Sequence, residues 1–152
     1  MSDLGSDRRL LGALLHGVLR KVRERVAEGL AEAGYADIRP AHQAVMMNLG
    51  RDGTRISELA ERAQITKQSM GALVSYLEGR GYVSIEPDPA DRRAKIVRLT
   101  ARGAGSEQPA RASLQRMQAE LSQRLDQGEL DELLRLLRKL NEVLEDSPRP
   151  LA

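Results

Sequence analysis

The chain has no cysteine among its 152 residues, which excludes a disulfide framework, a thiolate zinc site and a thiol redox switch. Its only histidines are His16 and His42, so a metal sensor built on a His, Cys and carboxylate cluster lacks its ligands, and no metal is expected. No apolar run approaches the roughly 18 to 20 residues that span a bilayer. The Met1-Ser2-Asp3 start has no basic stretch, apolar core or cleavage site of a signal peptide, so the expected location is cytoplasmic, with no membrane partner. Glycine-rich phosphate loops are missing and no serine has an evident histidine partner. The chain is therefore read as no enzyme, with no cofactor.

What is present fits a globular domain: 41% of residues are apolar and 30% charged. The net charge of +2 does not by itself announce a nucleic-acid binder, but its distribution is uneven. Residues 54–103 hold nine Lys or Arg against six Asp or Glu, whereas the rest of the chain is slightly acidic.

From Arg8 to about Ala33 a near-heptad stripe (Leu11, Leu14, Leu15, Val18, Val22, Val26, Leu30) predicts one long helix, closed at Ala33-Gly34 by a left-handed glycine. A second helix is expected to open at Pro40, whose backbone angle suits a first helical position, and to bury Val45, Met46 and Leu49. Ile56 to Ala63 reads as a short helix capped by Ser57. A further helix, capped by Thr66, runs to about Gly79, with Ile65 and Met70 spaced as a hydrophobic staple. Two short helices joined tightly make a helix-turn-helix. Tyr82–Glu86 and Ala94–Leu99 alternate as strands do and predict a β-hairpin whose tip, Pro87 to Arg93, is charged. Thr100 can cap the next helix, Pro109 should start or kink the helix containing it, and Asp126 with Glu129 fits a capping box between two leucine-rich final helices.

On a wheel at about 100° per residue, Met70, Leu73, Val74 and Leu77 share the core side of the helix that Thr66 caps. Gln68, Ala72 and Ser75 lie opposite, with Lys67, Ser69 and Gly71 beside them. That small, hydrogen-bonding face suits the major groove, where Gln pairs with adenine, Lys with guanine, and Ser or Thr with a base edge or phosphate. At the hairpin tip, Arg92 and Arg93 can reach the adjacent minor groove, and Asp91 can hold the guanidinium of Arg93. Lys95, next to the tip, completes the candidate DNA contacts.

Ile56-Ser57-Glu58-Leu59-Ala60, Thr66 to Leu77, Gly79-Arg80-Gly81-Tyr82-Val83, and Asp88-Pro89-Ala90-Asp91-Arg92-Arg93-Ala94-Lys95-Ile96-Val97-Arg98-Leu99-Thr100 with Gly103 closely resemble the MarR family of bacterial winged-helix regulators. The resemblance is clearest from about 38 to 103. It implies that Arg93 is the minor-groove arginine, that Asp91 orients it, and that Thr66 to Ser75 supply the recognition helix. It further implies a transcriptional regulator, more often a repressor, that binds a small aromatic or anionic effector between its dimerisation and DNA-binding parts. His16, Arg20, His42 and Met46 are the candidate effector contacts. The chain departs from the pattern at Arg39, where many relatives carry a Ser or Thr cap, and at 104–109, where the linking helix is expected to begin irregularly.

The fold class expected is mainly α with a small β-hairpin wing: a winged helix-turn-helix flanked by long N- and C-terminal dimerisation helices. The expected division is 1–36, an N-terminal dimerisation helix; 37–103, the DNA-binding region; 104–146, C-terminal dimerisation helices; and 147–152, a tail. The terminal leucines exceed what one small winged helix covers, so a homodimer is expected, with two recognition helices about one DNA turn apart on a palindrome. The alternative is a winged helix serving as a protein-interaction module without specific DNA binding.

Overall fold

A computed structural model describes residues 4–126 and 128–146. The expected tail at 147–152 and the Met1-Ser2-Asp3 start lie outside the described residues. The chain divides into two compact units, one up to Leu114 and one from Gln115.

In the first unit, α1 (Leu4–Glu32) ends as its sequence predicts. Gly34 takes a φ of +91°, and the N–H of Tyr35 reaches back to the carbonyl of Leu30 at 2.8 Å, satisfying a carbonyl that the helix end would otherwise leave open. Pro40–His42 forms one turn of 3₁₀ helix and continues as α2 (Gln43–Met46). The cap missing at Arg39 is replaced from the other side: the Arg39 N–H donates to His42 Nδ1 at 3.1 Å. Val45 is fully buried there, with Met46 and Leu49 half-buried.

Thr54–Arg55 forms a strand, β1, that the sequence reading did not contain. It precedes α3 (Ile56–Ala63), α4 (Lys67–Gly79), β2 (Val83–Pro87) and β3 (Lys95–Leu99). The sheet is antiparallel with order β1-β3-β2, Thr54 facing Val97 and Val83 facing Leu99. Because Arg55 is already extended in this ladder, it becomes the N-cap of α3. Ser57 therefore lies inside the first turn and does not cap the helix, which corrects the expectation. Thr66 does cap α4, its Oγ1 accepting from the Ser69 N–H at 3.1 Å. Met70 is fully buried, while Ile65 stays at the surface.

Thr100 caps α5 (Ala101–Gly105), the chain breaks at Ser106 as the poor helix formers suggested, and α6 (Glu107–Arg124) follows with Pro109 in its first turn, where no intrahelical N–H bond is lost. Ser113 Oγ on α6 donates to the Arg25 carbonyl of α1 at 2.8 Å. In the second unit, α7 (Glu129–Asp146) is opened by the Glu129 carboxylate accepting from the Asp126 N–H at 2.6 Å, one half of the expected capping box. The core of the first unit joins Leu30 and Ile38 to Val45, Leu59, Met70, Val74, Leu77, Tyr82 and Val97, and lies directly behind α4 and the sheet. No helix among the described residues is long and apolar enough to cross a membrane.

Candidate nucleic-acid interface

Helix α4 is held from behind. Met70, Val74 and Leu77 are fully buried, and each such side chain contributes about 1.5–3 kcal/mol when removed from water. Thr66, Lys67, Gln68, Ser69, Ala72 and Ser75 are exposed, with Gly71 half-buried among them. The helix thus presents polar groups on a rigid mount, so little further ordering is required on binding a surface. Near its other end, Tyr76 turns inward and stacks on His42, with ring centroids 4.3 Å apart and planes within 4°. Arg80 lies 5.3 Å from the same ring and pairs with Asp37 at 3.0 Å. Burial, and then the nearby Arg39 charge, hold the His42 imidazole below its ordinary pKa, so it stays neutral and keeps Nδ1 as an acceptor.

At the wing, Arg92, Arg93 and Lys95 are exposed. With Glu78 of α4 they line one shallow groove of about 240 Å³, so the wing cations stand beside α4. The expected role of Asp91 is corrected in its atoms. Its Oδ1 accepts from the backbone N–H of Arg93 at 3.0 Å, and no ion pair to that guanidinium forms; two residues apart in a turn, main chain lies nearer than side-chain tip.

The sequence assigned no role to Asp88 of the wing or to Arg55 of β1, which the fold brings together. Asp88, buried at 7% exposure, accepts from Arg55 Nε at 2.6 Å and from the Ala90 N–H at 2.8 Å. The Ala90 bond first, then the Arg55 bond, hold the Asp88 carboxyl below its usual range. At the base of the wing, Thr100 Oγ1 donates to the carbonyl of Gly81 at 2.6 Å, and Arg102 donates to Tyr82 Oη at 3.1 Å while lying over that ring.

The four effector candidates separate. Met46 lines an apolar cleft of about 420 Å³ with Val22, Val26, Leu30 and Leu114. His16 and Arg20 line a smaller groove of about 160 Å³, where Arg20 is paired with Glu24 at 2.8 Å. His42 is not among the lining residues of either and serves the Tyr76 stack. Arg23, not singled out in the sequence, borders both spaces, and its buried Nε makes no hydrogen bond.

The family model described as "MarR family" matches residues 36–94. Over 130 residues, 86% of this chain and 92% of the relative, the chain is 30% identical to the HTH-type transcriptional repressor Rv2887 of Mycobacterium tuberculosis. It is 29% identical over 77 residues to the transcriptional activatory protein BadR of Rhodopseudomonas palustris, which covers 51% of this chain but only 42% of that protein. Among solved structures it is similar to a mutant MarR of Escherichia coli complexed with operator DNA, with a TM-score of 0.70 at 28% identity, covering 91% of this chain and 99% of that one.

Proposed function

Since the chain belongs to the MarR family of transcriptional regulators, which are not enzymes, we propose that it reads duplex DNA sequence-specifically as a homodimeric repressor on a palindromic operator. The observation that carries this reading is the juxtaposition of the exposed polar face of α4 with the wing cations Arg92, Arg93 and Lys95. Gln68, Lys67, Ser69 and Ser75 address base edges, and Thr66 and the helix N-terminus favour phosphate. Arg93 enters the minor groove, with Arg92 and Lys95 on the flanking backbone and Asp91 fixing the turn.

The homodimer is supported by what is left uncovered. On α1, Leu10, Leu11, Leu14, Leu15, Val18 and Leu19 are 40–59% exposed, and on α7 Leu133, Leu136, Leu137, Val143 and Leu144 are 38–65% exposed. A second copy covers such stripes, and its two-fold symmetry supplies the second reading head. Repression is favoured because the relative matched over 92% of its length is named a repressor.

Release by a small anionic or aromatic effector is supported by the cleft that Met46 and Arg23 border, with His16 and Arg20 in the adjoining groove. The unpartnered Arg23 Nε offers a charged donor beside an apolar wall. Gln43 and Met46 of α2 line that wall, and His42, immediately before α2, stacks on α4, so an occupant that moves α2 biases the reading helix. It does so only by binding one arrangement better than the other.

Selection from random-sequence duplexes by the full chain tests the reading. An enriched palindrome with half-site centres roughly 34 to 36 Å apart is expected. A pool that stays unenriched, with all duplexes bound equally, overturns it in favour of an interaction module.

A further inference from the structure

We propose that Arg55 and Asp88 form a wing lock: a positioning pair that fixes the loop carrying Arg92 and Arg93 to the start of α3, so that wing and α4 meet DNA as one preformed surface. The inference rests on the DNA-reading function above.

The loop between β2 and β3 has little to hold it. Of the residues from 88 to 94, only Asp88 is buried, and Pro89 through Arg93 are exposed. Order therefore comes from hydrogen bonds, and they converge on Asp88. Arg55 Nε donates to its Oδ2 at 2.6 Å, and the Ala90 N–H donates to its Oδ1 at 2.8 Å. Its own N–H donates to the Ala94 carbonyl at 2.9 Å, and its carbonyl accepts from the Asp91 N–H at 3.2 Å. Asp91 then passes the order on, accepting from the Arg93 N–H at 3.0 Å through its carboxylate and from the Ala94 N–H at 2.8 Å through its carbonyl.

The other end of the lock is itself fixed. Arg55 faces Ile96 in the β1–β3 ladder and is the N-cap of α3. One side chain thus ties the tip of the wing to the element that leads into the helix-turn-helix, 33 residues away in sequence. The Asp88 side chain is 10% exposed and that of Arg55 40%, so the pair is partly withdrawn from the solvent that weakens surface ion pairs.

The choice between positioning and simple charge can be made by sign. Asp88 places a negative charge beside a cationic DNA-facing tip, so if charge alone mattered, Asp88→Asn would tighten DNA binding. If Asp88 positions the wing, the same substitution weakens it, because the loop must then be ordered at the moment of binding. Asparagine keeps one acceptor for the Ala90 N–H but puts an amide N–H₂ where Oδ2 accepted from Arg55, so the ion pair and its hydrogen bond are both lost.

Two measurements on the full chain test this. Fluorescence anisotropy compares the selected operator with a scrambled duplex, and hydrogen exchange of the free protein follows the amides of Ala90, Asp91, Arg93 and Ala94. Asp88→Asn and Arg55→Gln are each expected to lower operator affinity by about tenfold, a modest ordering cost, and to speed wing exchange by a similar factor. The thermal midpoint should fall by only a few degrees, with far-UV dichroism unchanged, and Arg55→Lys should restore most of the operator affinity. Tighter operator binding by Asp88→Asn, or unchanged wing exchange in both variants, overturns the lock. A wild-type protein that does not distinguish the two duplexes overturns the parent reading instead, and the exchange data still decide whether the lock exists.

Discussion

Gly103 sits where α5 crosses the base of the wing, and even an alanine methyl finds no room there. A Cβ there would lie 2.0 Å from the Tyr82 carbonyl oxygen and 3.0 Å from Leu99 Cδ2, against a comfortable heavy-atom separation of roughly 3.5–4.0 Å. The oxygen cannot simply retreat, because it accepts from the Thr100 N–H at 3.1 Å. Overpacking costs about 1–3 kcal/mol, and weakening that hydrogen bond adds about 1 kcal/mol, so Gly103→Ala should destabilise by about 2–4 kcal/mol. At roughly 2–4 °C per kcal/mol for a chain of this size, the thermal midpoint should fall by about 4–16 °C. Circular dichroism melts at fixed protein concentration measure it. Gly71→Ala is the control: it is also a helical glycine, but a Cβ there meets nothing within 4 Å, and helix propensity should stabilise it by about 0.5–1 kcal/mol. A Gly103→Ala midpoint within a degree or two of wild type would refute the close approach on which the wing base is argued to rest.

The neutral His42 gives a pH signature. Its folded pKa lies below its ordinary value, so the stability it confers is present above about pH 6.5 and is lost as pH falls through the lowered folded value. The thermal midpoint should be flat above about pH 7 and decline below about 6.5, and His42→Asn, which keeps an acceptor for the Arg39 N–H, should flatten that decline; an identical slope in both proteins would contradict the assignment. Leu14→Glu or Leu144→Glu should shift sedimentation from dimer towards monomer while leaving far-UV dichroism intact, because both leucines are already more than half exposed within one chain. A variant that sediments like wild type at low micromolar concentration would remove those residues from the interface.

Where local signals ran in phase, the sequence was informative. Gly34, Thr66 and Thr100 end or begin their helices by bonds spanning three to five positions, and the buried side of α4 follows the helical period. What could not be read depends on partners distant in sequence. Strand β1 has two residues, too few to show alternation, and exists because β3 offers it an edge. That pairing moves the N-cap of α3 from Ser57 to Arg55. Asp88, between two prolines, reads as an ordinary loop aspartate until Arg55 is brought against it. Arg23 gives no sequence signal, since an arginine on a helix is normally solvated, and only the surrounding packing leaves its Nε buried without a bond.

The central claim is that the outer face of α4 reads bases while the wing holds the backbone and minor groove. It is tested most directly by anisotropy titrations of wild type, Gln68→Ala and Arg93→Ala on operator and scrambled duplexes across a salt series. The account predicts that Gln68→Ala loses operator preference, by about 1–3 kcal/mol, with an unchanged salt slope. Arg93→Ala should weaken binding to both duplexes and reduce the slope by about one. Two variants indistinguishable from wild type on both duplexes at every salt concentration would contradict it.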